Sequence, residues 1–257
     1  MDKSDEIITS RSNPICMHFK KLGSDKSYRY EHGEFLCDGE KLLKEALESN
    51  IQIITILTSK VLNFKLPKTV RMYFVKSDLI NSLSPLKNSQ GLLFTCKMSG
   101  SEAYTRFDDT CVLLDNIQDP GNIGTIIRTA CAFDIPAVFL TDGCADIYNP
   151  KTIRATMGAI FKQKVRYLSQ EDLIKLKNTN IKFHGASNIP TATNINEVDF
   201  KKSLIIIGNE GQGLSPNIES LCDDFMKIPI SSNSESLNAS AAAAILLWEA
   251  SKKYNNH

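Results

Sequence analysis

The chain has 257 residues, 42% of them hydrophobic and 23% charged, with a formal net charge of +1. That length suits one large domain or two small ones, and that balance supports a real core, which excludes a wholly disordered chain. The first six residues are acidic and lack an apolar signal core, and the longest nearly unbroken apolar stretch, residues 239–248, is far below the roughly 18 to 20 residues of a membrane helix. The expectation is a cytoplasmic protein with no membrane partner. Seven cysteines are scattered without a C-x-x-C pair and lie mostly in apolar runs, so they are expected as reduced core residues. Neither zinc nor any other metal, nor a thiol nucleophile, is expected.

The first hundred residues read as a small α/β unit. Residues 35–47 begin in a turn and continue as an amphipathic helix through Leu42, Leu43, Ala46 and Leu47. Residues 51–57 and 71–75 have the β-branched and aromatic content of short strands. One or two helical turns are expected at 78–83 and another strand at 91–96, and the polar stretch 97–109 reads as a linker. From residue 110 the rhythm becomes strand, helix, strand. Residues 111–115 and 137–141 are continuous apolar runs, as in buried parallel strands, with a helix expected over 123–133 between them. Further strands are expected at 181–186 and 203–208, and an alanine-rich helix at 238–253. The expected domains are 1–98 and 108–257.

Three segments of the second half carry the chemistry: DNIQDPGNIGTIIRTACAF (115–133), IIIGNEGQGL (205–214) and IPISSNSESLNASAAAAI (228–245). Each is an apolar run that breaks into Gly, Asn, Ser and Pro before a run of helical spacing. That pattern reads as strand, functional loop, helix. In open α/β sheets such loops gather at the carboxyl edge of the strands, where ligands bind. In the first segment Asn122 is placed to cap the helix. Ile123, Ile126, Ile127 and Ala130 form its apolar stripe and leave Arg128 off that face. A cation near the positive end of a helix is mildly unfavourable and makes sense beside a bound anion; an ordinary surface arginine is the alternative. The second segment has the order G-x-x-G-x-G, not G-x-G-x-x-G, and no Gly-Lys-Ser/Thr follows, which disfavours an ordinary dinucleotide or P-loop site. Its glycines let a ligand approach the backbone, and Glu210 offers a carboxylate. In the third, Ser236 or Asn238 is a natural N-cap, and the small residues after it permit close packing within the domain or across a dimer.

Charge is unevenly spread. Residues 11–30 hold five cations against Asp25, and residues 151–170 hold five cations and no acid. Two basic stretches on a near-neutral chain fit a polyanion such as RNA, although such runs are more often solvated faces.

The three segments together resemble the SpoU (TrmH-type) family of RNA 2′-O-ribose methyltransferases. The family's N-x-G-x-x-x-R-T-A, G-x-E-x-x-G and I-P-[MI]…S-L-N-x-S-x-A elements stand here, in order, at Asn122 to Ala130, Gly208 to Gly213, and Ile228 to Ala241. The segment around Arg154 and the residues near Arg11 and Gly39 resemble the family's connecting segment and its N-terminal substrate-binding domain. The resemblance implies an α/β fold: a C-terminal parallel sheet with a deep trefoil knot from about Ser203 to the last helix, preceded by a small ribosomal-protein-like α/β domain. It implies S-adenosyl-L-methionine as cofactor, held by Gly208, Gly211, Ile228, Ile230 and Leu237, and a homodimer. It implies methyl transfer to a ribose 2′-hydroxyl with Arg128, Asn122, Glu210, Ser236 and Asn238 as catalytic residues, and RNA contacts from Arg11 and Arg154. Arg128 acts as base or as positioning group; since a guanidinium stays protonated in proteins, positioning is the cheaper role. Where many relatives have glycine, Asp134 stands here. The resemblance of the N-terminal domain implies ribosomal RNA in preference to transfer RNA. The alternatives are a transfer-RNA ribose methyltransferase, a non-catalytic RNA-binding or ribosome-assembly factor, and a nucleotide-dependent oxidoreductase.

Overall fold

The computed structural model describes residues 7–87, 89–98 and 109–254. The acidic first six residues and all but the ends of the expected linker lie outside them. The chain divides into two compact units, residues 1–100 with 146–161, and residues 101–145 with 162–257.

In the first unit, α1 (Pro14–Ser24) starts with a proline and is capped by Asn13, whose side chain accepts from the Ile15 N–H, a favourable order for a helix start. Asp25 caps α2 (Lys26–His32) in the same way. Residues 35–38, expected as a turn, are instead strand β1 (Glu34–Asp38). The turn falls one residue later, at Gly39, whose φ of 111° no side chain tolerates readily. It delivers the chain straight into α3 (Glu40–Glu48). The other expected elements are β2 (Ile53–Thr58), β3 (Arg71–Phe74), α4 (Ser77–Leu83) and β4 (Leu92–Lys97). The sheet order is β1-β4-β2-β3, with β2 and β3 parallel and the other pairs antiparallel.

Residues 146–161, with helix α6 (Pro150–Thr156), pack into this unit: Ile153 joins Leu43, Ile56 and Phe94 in its core. A buried ion pair ties them in. Arg29 Nη2 and Nε donate to Asp146 Oδ2 at 2.6 and 3.0 Å, Arg29 Nη1 donates to the Leu22 carbonyl at 2.7 Å, and Tyr30 Oη donates to Asp146 Oδ1 at 3.1 Å. Arg29 is thus buried and paired, so one of the five cations counted in 11–30 is structural.

The second unit is built on a parallel sheet of order β7-β6-β5-β10-β8-β11-β9 among the described residues. Its strands are β5 (Cys111–Leu114), β6 (Ala137–Leu140), β7 (Lys164–Tyr167), β8 (Lys182–Ala186), β9 (Thr193–Asn194), β10 (Ser203–Ile207) and β11 (Asp224–Lys227). The central β5, β6 and β10 are buried at every position, the signature of a parallel sheet covered on both faces. Leu173 and Leu176 of α7 (Gln170–Lys177) and Ile218 of α8 (Pro216–Glu219) pack with Leu113, Phe139 and Ile206. Elsewhere α5 (Pro120–Ala132) and α9 (Ala239–Tyr254) pack on each other, burying Ile123, Ile126, Ile127 and Ala130 of the first and Ala239, Ala243, Leu246 and Leu247 of the second. The buried imidazole of His184 on β8 is satisfied by Asp224 of β11 and by Ser203 Oγ of β10, the latter at 3.1 Å. In the third segment the strand ends at Lys227, before Ile228; Pro229, lacking an N–H, suits the loop there. No described helix is long and apolar enough to cross a membrane. All seven cysteines are free thiols.

Candidate active site

Helix α5 starts earlier than its apolar stripe alone indicates. Asp119, not Asn122, is the cap: its Oδ1 accepts from the Asn122 N–H at 2.9 Å, and Pro120 occupies the first turn. An Asp cap followed by Pro in the first turn is a favourable order for a helix start. This frees the Asn122 side chain. Its Nδ2 donates to Glu210 Oε1, and its Oδ1 accepts from Asn238 Nδ2 at 3.1 Å. Glu210 Oε1 also faces the Ala239 N–H at 3.4 Å. Asn238 is the cap of α9, its Oδ1 accepting from Ser240 N, Ser240 Oγ and Ala241 N at 3.0, 2.6 and 3.3 Å. The loops after β5, β10 and β11 therefore meet through Asn122, Glu210 and Asn238.

Arg128 projects from α5 into solvent and makes no hydrogen bond or ion pair among the described residues. With α5 beginning at Pro120, Arg128 is the ninth of thirteen residues, beyond the first turn where the helix dipole acts. The dipole argument for an anion at Arg128 therefore falls. What remains is an exposed guanidinium fork with its donors uncommitted, between one and two turns along the helix from Asn122.

Beside this network a cavity of about 330 Å³ opens at the carboxyl ends of β8, β10 and β11. Gly208, Ile228, Ile230 and Leu237 line it, as do Glu210 and Ser236. Its size is that of a small-molecule site, and its lining mixes apolar side chains with backbone groups. The backbones of Ile230 and Leu237 carry no hydrogen bond among the described residues, so their N–H and C=O groups are available to a polar ligand. Gly208 is required by close approach: a Cβ there would lie 2.4 Å from the Gly213 carbonyl. Gly211 does not line the cavity; its N–H goes to Asn209 Oδ1 at 2.9 Å. The lining also includes Ala186, Ser187 and Asn188 after β8, which the sequence reading did not single out. Their signal was weak, a Ser-Asn pair following an expected strand. Burial pushes the Cys222 thiol up to about 12, so no thiolate forms there at neutral pH.

Arg11 and Arg154 are both exposed and both belong to the first unit. Arg154, near the end of α6, donates to the Lys87 carbonyl at 3.3 Å. The basic stretch 151–170 is divided, Lys151 and Arg154 falling in the first unit and Lys162, Lys164 and Arg166 in the second. It is therefore not one continuous basic element.

Residues 109–248 match the SpoU rRNA methylase family, and residues 13–93 match the MRM3-like substrate binding domain. The chain is 31% identical to the 23S rRNA (guanosine(2553)-2′-O)-methyltransferase RlmP of Bacillus subtilis, over 94% of this chain and 97% of that one. It is 29% identical to the 23S rRNA (uridine(2479)-2′-O)-methyltransferase of Streptomyces viridochromogenes, over 95% and 91%. The S-adenosylmethionine-bound rRNA methyltransferase from Sinorhizobium meliloti superposes with a TM-score of 0.87 at 26% identity, covering 98% of this chain and 99% of that one. The parallel sheet, the cavity at its carboxyl edge and these matches agree with the resemblance read from the three segments, and the chain belongs to the SpoU rRNA methylase family.

Proposed function

We propose that this protein transfers the methyl group of S-adenosylmethionine to a ribose 2′-hydroxyl of large-subunit ribosomal RNA. The observation that carries the reading is the joining of Asn122, Glu210 and Asn238 at the rim of a ligand-sized cavity, with an uncommitted Arg128 on the same helix. When bound, the cofactor supplies an electrophilic methyl group. Gly208, Ile228, Ile230 and Leu237 hold it, chiefly through backbone groups, and Gly211 supports the loop from behind. The Arg128 fork grips an RNA phosphate in a bidentate way and so aligns the adjoining 2′-hydroxyl, which is the main requirement of a two-substrate displacement. Glu210 fixes Asn122 and the start of α9, and Ser236 and Asn238 complete the wall on which the ribose rests. Arg11 and Arg154 contact phosphates outside the reacting nucleotide.

The same reading places the segment from Ser203 through α9 in a trefoil knot, with domains at 1–98 and 108–257 and the working protein a cytoplasmic homodimer. Support for the dimer comes from α9, which leaves Ile245 38% and Trp248 51% exposed, an apolar face that a second copy would cover. Sedimentation at micromolar concentration should give twice the chain mass.

The deciding experiment supplies labelled S-adenosylmethionine with unmodified large-subunit rRNA or with tRNA, followed by digestion and mass spectrometry. Label on one ribose of the large-subunit RNA is expected. Label confined to tRNA would move the activity to the other substrate class, and no label with no cofactor binding would leave an RNA-binding scaffold.

A further inference from the structure

Glu210 can meet Asn122 only if the glycine loop 208–213 is held at a fixed height above the end of β5, and two side chains outside the family's motif positions do this. Asp115 follows β5 and is 1% exposed, yet it has no ion pair among the described residues. A buried carboxylate without a cation is costly unless strong donors surround it. Here Ser215 N, just past the loop, donates to Oδ2 at 2.7 Å, and Thr141 Oγ1, at the end of β6, donates to Oδ1 at 3.1 Å. Thr141 Oγ1 in turn accepts from the Asn116 N–H at 3.2 Å.

The second side chain is Asn209. Its Nδ2 donates to the Asn116 carbonyl at 3.0 Å, while its Oδ1 accepts from Gly211 N and Gln212 N at 2.9 and 3.2 Å. Its own backbone forms a reciprocal pair with Gly213 at 3.0 and 2.9 Å. The loop is thus tied at its start to the Asn116 carbonyl and just beyond its end to the Asp115 carboxylate, two adjacent residues. Glu210 and the cavity-lining Gln212 and Gly213 lie between the ties. Asn116 itself adopts a φ of 54°, a conformation asparagine tolerates better than most residues, which turns its carbonyl out of the ladder.

We propose that Asp115 and Asn209 are positioning residues: a two-point clamp that sets the glycine loop so that Glu210 engages Asn122 and the cofactor cavity keeps its shape. The inference rests on the cofactor reading above, but one of its tests does not. Asn209→Asp keeps volume and the Oδ1 acceptor while placing an oxygen against the Asn116 carbonyl. In the ligand-free protein, amides of 209–215 should then exchange with solvent about tenfold faster, and S-adenosylmethionine should bind about tenfold more weakly by calorimetry. A carboxyl group facing a carbonyl regains a donor when protonated. Both defects should therefore shrink as pH falls below about 5, toward and below the ordinary aspartate range, a recovery that wild type does not show. Asp115→Asn, which retains an acceptor for only one of the two donors, should show the same two effects about threefold. Unchanged loop exchange in both variants overturns the clamp whether or not cofactor binds. Faster exchange with unchanged affinity, or a lowered melting temperature without the low-pH recovery, overturns it as well. Wild type that fails to bind S-adenosylmethionine sinks the cofactor reading, and the exchange data then judge the clamp alone.

Discussion

Two arginines show how the same side chain is used in opposite ways. Arg29 is 3% exposed, with Nε and both terminal nitrogens committed to Asp146 and the Leu22 carbonyl. Arg128 is exposed and has no partner among the described residues. A guanidinium buried against a carboxylate holds 146–161 to the N-terminal sheet, and disturbing it should unfold. A guanidinium left open on α5, the helix that carries Asn122, contributes nothing to the fold that can be seen, and disturbing it should stop chemistry.

Arg128→Ala sharpens the contrast most. Methyl transfer should fall about a thousandfold, within the range seen when a positioned proton-transfer or charge-stabilising group is lost, with an unchanged melting curve. A melting temperature lowered by several degrees would put Arg128 in the same class as Arg29. Asp146→Ala should do the reverse, costing about 3–5 kcal/mol because Arg29 is left buried and unpaired. Denaturant titration reads that loss, and the folded fraction should bind S-adenosylmethionine normally. Asn238→Ala removes both the cap of α9 and the tie to Asn122, so it should show a mixed effect. We expect about 1 kcal/mol of stability lost together with a several-fold fall in turnover, measured in the same two assays.

The smallest effect lies at α7, away from the cavity. Ser169 and Asp172 form a capping box there. The Ser169 backbone N–H, with Arg166 nearby, holds the Asp172 carboxyl below its usual range despite partial burial. A carboxyl depressed in the folded state stabilises above its unfolded pKa, and that contribution is lost as pH falls through the folded value. Asp172→Asn should therefore flatten the acid limb of the stability curve slightly, leaving methyl transfer untouched.

Local pattern revealed the parts and not their meetings. The runs at 111–115 and 203–208 announced strands, each ending one residue earlier in the fold, and Ile123, Ile126, Ile127 and Ala130 announced the inner face of α5. Strand β1 escaped notice because Phe35, Leu36 and Cys37 run directly into a positive-φ glycine and a helix, which reads as one element. The start of α5 was misplaced because the apolar stripe begins three residues after the proline that opens the helix. Asn122, Glu210 and Asn238 were named together only through the resemblance, since no periodicity connects residues so far apart in the chain. Asp115 and Asn209 were passed over for a related reason. Aspartate at a strand end and asparagine in a glycine loop are ordinary turn residues until their partners across the sheet are known.

The strand order also fixes a timetable for synthesis. β5, β6 and β7 emerge early and are neighbours, but the next partner of β5 is β10, whose Leu204 aligns with Cys111. Closing so long a loop is slow compared with pairing adjacent strands. The wall formed by Ser236, Leu237 and the start of α9 arrives later still. A nascent chain thus holds part of the sheet with one flank open, and the cavity at its carboxyl edge gains its last wall only once α9 has been made.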